Sequence, residues 1–317
     1  MSQPDTQRIQ PDHVIRQFAR RNPLDEAQFL YGEIAQRMLQ RLSYIRIQPH
    51  TILDAGCGNA HALEPLRSRY PDLDYIGLDA CQPLLDTARQ RYAARPGFWQ
   101  RLRNRPTPPL AFVHADMAAT DLTPESVDLV WSNMALHWHP EPSRVMAEWR
   151  RLLRPEGLAM FSILGPGSLV EIRDAIGQAS LNTTTPPLLD MHDYGDLLLQ
   201  NGFLDPVMDQ ETFTLTYRTA TRLLEDLRLL GGNPSIDRHA GMVSRSWRQR
   251  LVDALEKQRH QDGTIHLTIE VAYGHAWRAK VHQTGATEFR ISAGDIKRAP
   301  GSRAGRPGVR FRGPEKK

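Results

Sequence analysis

A short apolar run that ends in an acid and two alternate glycines occupies residues 51–61, Thr-Ile-Leu-Asp-Ala-Gly-Cys-Gly-Asn-Ala-His. Gly56 and Gly58 have no Cβ atom, so the backbone can turn sharply there and a ligand can lie against it. A second apolar run ends in Asp79, which follows Asp54 by 25 residues, a spacing typical of a carboxylate that binds a ribose diol. These features together predict a site for an adenosine-type ligand.

The acid before the glycines decides between two such ligands. A dinucleotide fingerprint has a third glycine and receives a pyrophosphate at the next helix N-terminus, whereas the pattern here is Gly56-x-Gly58-x-Ala60. Asp54 would repel a pyrophosphate, but a carboxylate suits a ligand that carries a sulfonium and an amino group. We therefore expect S-adenosyl-L-methionine as the cofactor, and the stretch resembles motif I of the class I methyltransferases.

Three more apolar runs follow at residues 110–115, 127–133 and 158–164, each separated from the next by helical or loop sequence. Two later runs, at residues 213–217 and 265–273, complete a set of seven. This alternation predicts an α/β fold with a doubly wound, mostly parallel seven-stranded sheet, Rossmann-like, in which ligands bind at the carboxyl ends of the strands. The residues predicted to bind the cofactor there are Asp54, Gly56, Gly58, Asp79, Asp116, Met117 and Asn133.

The remaining sequence is predicted to surround this core. Helical spacing over residues 13–42, broken at Pro23, indicates a cover over the cofactor, and helical sequence before the last strand indicates an insertion that roofs the substrate side. We expect a helical cap at 1–50, a cofactor-binding core at 51–165, C-terminal strands with the insertion at 166–284, and a basic, disordered tail at 285–317.

Composition excludes several classes of protein. The chain has 317 residues with 40% hydrophobic residues, enough for a sizeable core, but it has no apolar run of 18 residues and no signal-peptide pattern, so we expect a cytoplasmic protein. Cys57 and Cys81 are too few for a disulfide framework, and no Cys/His spacing predicts a metal site. The net charge of +4 is concentrated in the tail, and a base-flipping motif of the Asn-Pro-Pro-Tyr type is absent, so binding to nucleic acid is not expected.

With these residues laid out, the chain resembles the malonyl-acyl-carrier-protein O-methyltransferases of biotin synthesis, the BioC type, over about residues 13–278. The stretches that carry the resemblance are Leu53–Gly58, Ser132–Trp138, Phe161–Arg173, Asp190–Asp193, Gly202–Val207 and Tyr273–Trp277. The resemblance implies methyl transfer to the free carboxylate of a malonyl thioester on acyl-carrier protein, or on CoA, by a monomeric enzyme. An ionised carboxylate needs no general base.

The resemblance also implies roles for three residues beyond the cofactor set. His137 and Trp138 follow the fourth strand, where methyltransferases place groups that face the methyl; a hydrogen-bonded rim residue and a core residue are the alternatives. Arg173 is the candidate cation for the malonyl carboxylate, with a solvated ion pair as the alternative. His137 stands where established members tend to carry Gln. The arginines at 101, 103 and 105 form a candidate docking loop for an acidic carrier protein.

Besides a nucleic-acid methyltransferase, with which only the basic tail is compatible, two other functions stay open at this point. Leu24-Asp25 stands in place of a Tyr-Asp pair, and together with residues 29–37 and 230–233 it also resembles the bacterial relatives of a complex I assembly factor that is understood as a protein-arginine hydroxylase. A non-catalytic protein that binds S-adenosylmethionine is the second alternative, because the motif guarantees ligand capture rather than turnover.

Overall fold

A seven-stranded sheet forms the centre of the molecule in the computed structural model, which describes residues 8–93, 108–239 and 241–280. The strand order is β3-β2-β1-β4-β5-β7-β6. Strands β1 to β5 are parallel, and β7 runs antiparallel to both β5 and β6. The strands are β1 Thr51–Ala55, β2 Asp74–Asp79, β3 Leu110–His114, β4 Val127–Asn133, β5 Leu153–Leu164, β6 Phe203–Tyr217 and β7 Ile265–Arg278. The predicted doubly wound, mostly parallel sheet is confirmed.

Helices cover both faces of this sheet. Three of them, which begin at Pro11, Gln82 and Pro142, have a proline in the first turn, where a missing N–H costs no hydrogen bond. The helices are α1 Pro11–Ala19, α2 Gln28–Ser43, α3 Leu63–Arg69, α4 Gln82–Tyr92, α5 Pro142–Leu152, α6 Val170–Gln178, α7 Met191–Gln200, α8 Ala220–Leu229 and α9 Arg245–Glu256, with 3₁₀ turns at Leu24–Ala27 and Leu136–Trp138. The predicted break at Pro23 falls between α1 and the first 3₁₀ turn.

The last two strands are longer than the sequence pattern predicts. β6 begins at Phe203 rather than Phe213, because a register shift between Leu204 and Val207 lets the polar stretch with Asp205 and Pro206 join the strand. Helices α8 and α9 lie in the connection between β6 and β7, as the predicted insertion requires. The insertion therefore interrupts a hairpin that is otherwise paired along its length.

Two apolar layers hold the helices on the sheet. On one face α2 buries Ile34, Met38 and Leu42 completely, in the same cluster as Trp131 of β4. On the other face Trp149 of α5 belongs to a second buried cluster. Removing one such side chain from water contributes about 1.5–3 kcal/mol to stability. Because α2 buries three of them, this helix anchors the N-terminal cover on the sheet.

Some predicted features lie outside the described residues. The arginine loop at 101–105 and the basic tail from residue 285 are among them. Within the described residues, no helix is both long enough and apolar enough to span a membrane.

Candidate active site

The carboxyl ends of β1 to β4 border a cavity of about 380 Å³. Each of these strand ends contributes one polar side chain to its lining, namely Asp54, Asp79, Asp116 and Asn133. Gly56, Gly58 and Met117 line the same cavity, so the structure brings together all seven residues that were predicted to bind the cofactor. The size is typical of a cavity for a small molecule or cofactor.

The glycine loop has the left-handed backbone that its sequence indicates. Gly56 has φ +80° and Gly58 has φ +54°, and Ala60, which stands where a third glycine is usual, adopts φ +57°. A Cβ atom on Gly56 would overlap the side chain of Ala135. A Cβ atom on Gly58 would lie 3.1 Å from Leu24 Cδ1, so this glycine leaves room for the N-terminal cover over the loop.

Asp79 shapes the loop as well as lining the cavity. Its Oδ2 accepts a hydrogen bond from Gly58 N at 2.8 Å, and its Oδ1 accepts one from Cys81 N at 2.7 Å. Burial raises the pKa of Asp79, while the two backbone donors oppose that shift. Each carboxylate oxygen keeps a second lone pair that can accept a hydroxyl donor from a ligand.

Asp54 is buried, and Tyr75 donates a hydrogen bond to its Oδ2. Burial raises the pKa of Asp54 to about 7, and the nearby charge of Asp79 acts in the same direction, whereas the Tyr75 hydrogen bond opposes it. Neither Asp54 nor Asp79 pairs with a cationic side chain of the described residues. Two carboxylates without counter-ions favour a ligand that carries positive charge.

The N-terminal cover is fastened to the glycine loop by Asn59. The fully buried side chain of Asn59 accepts a hydrogen bond from Leu24 N at 2.8 Å, and its amide donates to Asn22 Oδ1 and Leu84 O, each at 3.1 Å. Residues of α1, Phe18 among them, line the cavity from this side. The sequence pattern does not single out Asn59, because an asparagine after a glycine loop also suits an ordinary turn.

Two of the polar lining residues also hold the site together. Asp116 Oδ1 accepts hydrogen bonds from Ala118 N at 2.8 Å and from His139 Nε2 at 3.0 Å. The amide of Asn133 donates to Tyr31 O at 3.0 Å, which ties β4 to α2. We infer that Asn133 positions the cover over the strand ends.

His137 and Trp138 lie at a second, smaller cavity next to the first. Trp138 lines both cavities, and so do Tyr31 and Met134, whereas His137 lines only the smaller one. Phe18 of α1 contacts Trp138 edge to face, with the ring centroids 5.5 Å apart. Burial lowers the pKa of His137 to about 3, so its imidazole is neutral at physiological pH.

Arg173, the predicted cation for the malonyl carboxylate, lies away from both cavities. Its side chain is exposed on α6 and donates hydrogen bonds to Ser168 O at 2.6 Å and Pro166 O at 3.0 Å. It lines neither of the two cavities. The helix phase of α6 turns this residue to the surface, where the guanidinium braces the loop after β5.

Metal ligands do not come together in the described part of the chain. No group of three or more His, Cys, Asp or Glu side chains that could hold a metal ion occurs there.

Comparisons with known proteins agree with this geometry. Residues 53–161 match the family described as a methyltransferase domain. Among solved structures, a Bacillus halodurans C-125 protein has a TM-score of 0.52 at 15% identity and covers 78% of this chain and 99% of its own. The YcgJ protein from Bacillus subtilis has a TM-score of 0.51 at 12% identity, with 77% and 99% covered. At these identities the likeness shows the fold alone.

Curated relatives define the family more closely. Malonyl-acyl-carrier-protein O-methyltransferases from Gallionella capsiferriformans and Methylovorus sp. are 38% and 39% identical, covering 84% and 86% of this chain and 91% of each relative. The one from Laribacter hongkongensis is 40% identical over 80% of this chain and 84% of its own length. These matches do not favour the arginine-hydroxylase alternative. The cofactor of this methyltransferase is S-adenosyl-L-methionine, as the sequence predicted. This chain belongs to the malonyl-acyl-carrier-protein O-methyltransferase family.

Proposed function

We propose that this enzyme methylates the free carboxylate of a malonyl group carried by acyl-carrier protein, in the synthesis of biotin. The observation that carries this proposal is the 38% identity to the Gallionella capsiferriformans relative over 273 residues. That alignment reaches well beyond the methyltransferase domain at residues 53–161. The proposal also includes that the enzyme is a monomer and acts in the cytoplasm. Malonyl-CoA is a second carrier of the malonyl group and has to be tested beside the carrier protein.

The larger cavity suits the cofactor in charge and in hydrogen-bonding groups. We assign Asp79 to the ribose hydroxyls, because its oxygens lie at the end of β2 and retain free lone pairs. Asp54 is assigned to the positively charged end of the cofactor, since it is buried without a cationic partner. Asp116 and Met117, an acid beside an apolar side chain after β3, are assigned to the adenine ring.

When bound, S-adenosylmethionine supplies an electrophilic methyl group attached to a positively charged sulfur. A malonyl carboxyl group is ionised at neutral pH, so no residue has to remove a proton from it. The chain's own residues therefore align the carboxylate and exclude water. In well-oriented systems such alignment lowers the activation barrier by up to roughly 7–11 kcal/mol. The Phe18 and Trp138 pair, where α1 meets the β4 loop, is suited to exclude water.

Mass spectrometry of malonyl-acyl-carrier protein after incubation with the enzyme and S-adenosylmethionine tests this proposal. We expect the malonyl group on the carrier protein to gain one methyl group as an ester. Acetyl-acyl-carrier protein is the matched control and gains nothing, because it has no carboxylate oxygen to act as nucleophile. Malonyl-CoA in parallel reactions shows how far the carrier protein is required.

Two outcomes would contradict the proposal. If the carrier protein stays unmodified while the enzyme binds S-adenosylmethionine, the chain is a binding protein or acts on another substrate. If an arginyl protein gains an oxygen atom instead, the hydroxylase alternative returns.

A further inference from the structure

A small cavity of about 20 Å³ lies next to the cofactor cavity, on the side of the insertion. Tyr31, Met134 and Trp138 line both cavities and form the wall between them. The end of α8 and the Gly231-Gly232 turn that follows close the far side. The lining contains no acidic side chain.

Two buried donors without hydrogen-bond partners, His137 Nε2 and Trp138 Nε1, belong to residues that line this cavity, and a third, Arg21 Nη1, belongs to a side chain packed against its lining residue Gly232. The rings of His137 and Trp138 are 4.8 Å apart between centroids. A Cβ atom on Gly231 would overlap the indole of Trp138, and one on Gly232 would lie 2.9 Å from Arg21 Nη2. Two successive glycines with positive φ thus let the turn pack against both side chains.

All three atoms are hydrogen-bond donors. Leu164 N donates to His137 Nδ1 at 3.4 Å, so the neutral imidazole carries its proton on Nε2. Indole and guanidinium nitrogens can only donate. A buried donor without an acceptor costs roughly 1–3 kcal/mol, so two such donors in the lining and a third behind Gly232 favour a ligand that brings several acceptor oxygens.

Arg21 supplies a positive charge that the described residues do not neutralise. Its Nη2 donates to Gln17 Oε1 at 3.0 Å, and it forms no ion pair within the described part of the chain. Burial lowers its pKa, and the positive charges of Arg20 and Arg228 act in the same direction, whereas Tyr31 opposes the shift. A partly buried guanidinium without a carboxylate is suited to receive one from a substrate.

We propose that Arg21, His137 and Trp138 form the subsite for the malonyl group, with Arg21 binding its carboxylate and the two ring N–H groups available to its oxygens. This inference rests on the proposed function and replaces Arg173 as the carboxylate-binding residue. A malonyl group carries three acceptor oxygens, two on the carboxylate and one on the thioester carbonyl, matching the three donors. The cavity has to widen to admit it, and Gly232 is the one lining residue without a side chain.

Steady-state kinetics on malonyl-acyl-carrier protein test the subsite with Arg21→Ala and a matched control, Arg20→Ala. Arg20 is the preceding residue, is exposed and makes no side-chain hydrogen bond or ion pair among the described residues. We expect Arg21→Ala to raise KM about 10- to 100-fold, the loss typical of a charge-assisted pair. Arg20→Ala should stay within about twofold, and both variants should bind S-adenosylmethionine as the parent does.

Binding of two carrier-protein ligands adds a measurement that a purely structural role would not change. In the presence of S-adenosylhomocysteine, the parent should bind malonyl-acyl-carrier protein more tightly than butyryl-acyl-carrier protein, which has no carboxylate. Arg21→Ala should lose this preference. Trp138→Phe, which keeps an aromatic ring but removes the N–H, should raise KM by a smaller factor than Arg21→Ala.

The outcomes separate the subsite from the proposed function. Methylation by the parent together with an unchanged KM and an unchanged malonyl preference in Arg21→Ala would overturn the subsite alone. Absence of methylation by the parent would refute the proposed function, whatever the variant does.

Discussion

The hydroxyl of Tyr75 donates a hydrogen bond to Oδ2 of Asp54, a residue that is only 2% exposed to solvent. The bond joins Tyr75, near the start of β2, to Asp54, next to the last residue of β1, and Asp54 lines the cofactor cavity. Burial raises the pKa of Asp54 to about 7, even though this hydrogen bond favours the ionised form. The cofactor site therefore contains a carboxyl group that titrates near physiological pH.

Affinity for S-adenosylmethionine should rise with pH as a result. The cofactor carries positive charge, so it favours ionised Asp54 and lowers its pKa on binding; the free protein, with a pKa of about 7, must release a proton. We expect affinity to increase from about pH 6 to about pH 8 and then level off. Calorimetry in two buffers of different ionisation enthalpy measures the released proton.

Two variants identify the group responsible for this pH dependence. Asp54→Asn should bind the cofactor weakly and without the pH dependence. Tyr75→Phe should shift the rise to higher pH, because it removes a hydrogen bond that favours the carboxylate. An unchanged pH dependence in Asp54→Asn would contradict the assignment of Asp54.

Asp79→Ala should weaken S-adenosylmethionine binding by roughly 1.5–3 kcal/mol, the range for charge-assisted hydrogen bonds. The side chain also accepts from Gly58 N and Cys81 N, so its removal loosens the glycine loop as well. Asp79→Asn, which keeps one acceptor oxygen, should lose less affinity than Asp79→Ala. Calorimetric titration of folded variants measures the difference, and parental affinity in Asp79→Ala would refute the ribose assignment.

Asn59→Ala should loosen the contact between the N-terminal cover and the glycine loop. The substitution leaves Leu24 N and Leu84 O without their partner inside the protein, which costs about 1–3 kcal/mol. We expect a lower free energy of unfolding in urea and faster release of S-adenosylmethionine. Asn201→Ala is a suitable control, since that asparagine bonds Leu197 and Ser143 near α7; it should leave cofactor release unchanged.

The parts of this site that could be predicted are those that depend on chain order alone. Asp54, Asp79 and Asn133 end neighbouring parallel strands, so the sheet topology places them at one edge whatever the rest of the chain does. Asn59 and Arg21 act through contacts with segments distant in sequence, and nothing in the local pattern indicates those contacts.

The differences from the predictions have equally local causes. Arg173 lies on a helix whose phase relative to the cavity depends on the turn before it, where Leu169 adopts φ +62°. The beginning of β6 was missed because Asp205 and Pro206 are typical of a turn, and only pairing with β7 extends the strand past them. Strand pairing and helix phase are tertiary properties that hydrophobic periodicity does not contain.

Arg173→Ala is therefore expected to leave catalysis on malonyl-acyl-carrier protein nearly unchanged. The exposed guanidinium braces the carbonyl groups of Pro166 and Ser168, so its loss should lower the free energy of unfolding by about 0.5–1.5 kcal/mol. Thermal melting measures this effect, and kinetics with Arg21→Ala in parallel provide the contrast. A large rise in KM for Arg173→Ala alone would restore the original assignment.

The last prediction concerns the ring of His137. Because burial holds its pKa at about 3, the imidazole should remain a neutral donor between about pH 6 and pH 8, so kcat with saturating cofactor should not follow a histidine titration. His137→Gln keeps an N–H donor and should retain turnover within about fivefold, whereas His137→Leu removes the donor and should lose about 10-fold or more. Equal turnover of the two variants would show that His137 only fills space beside Trp138.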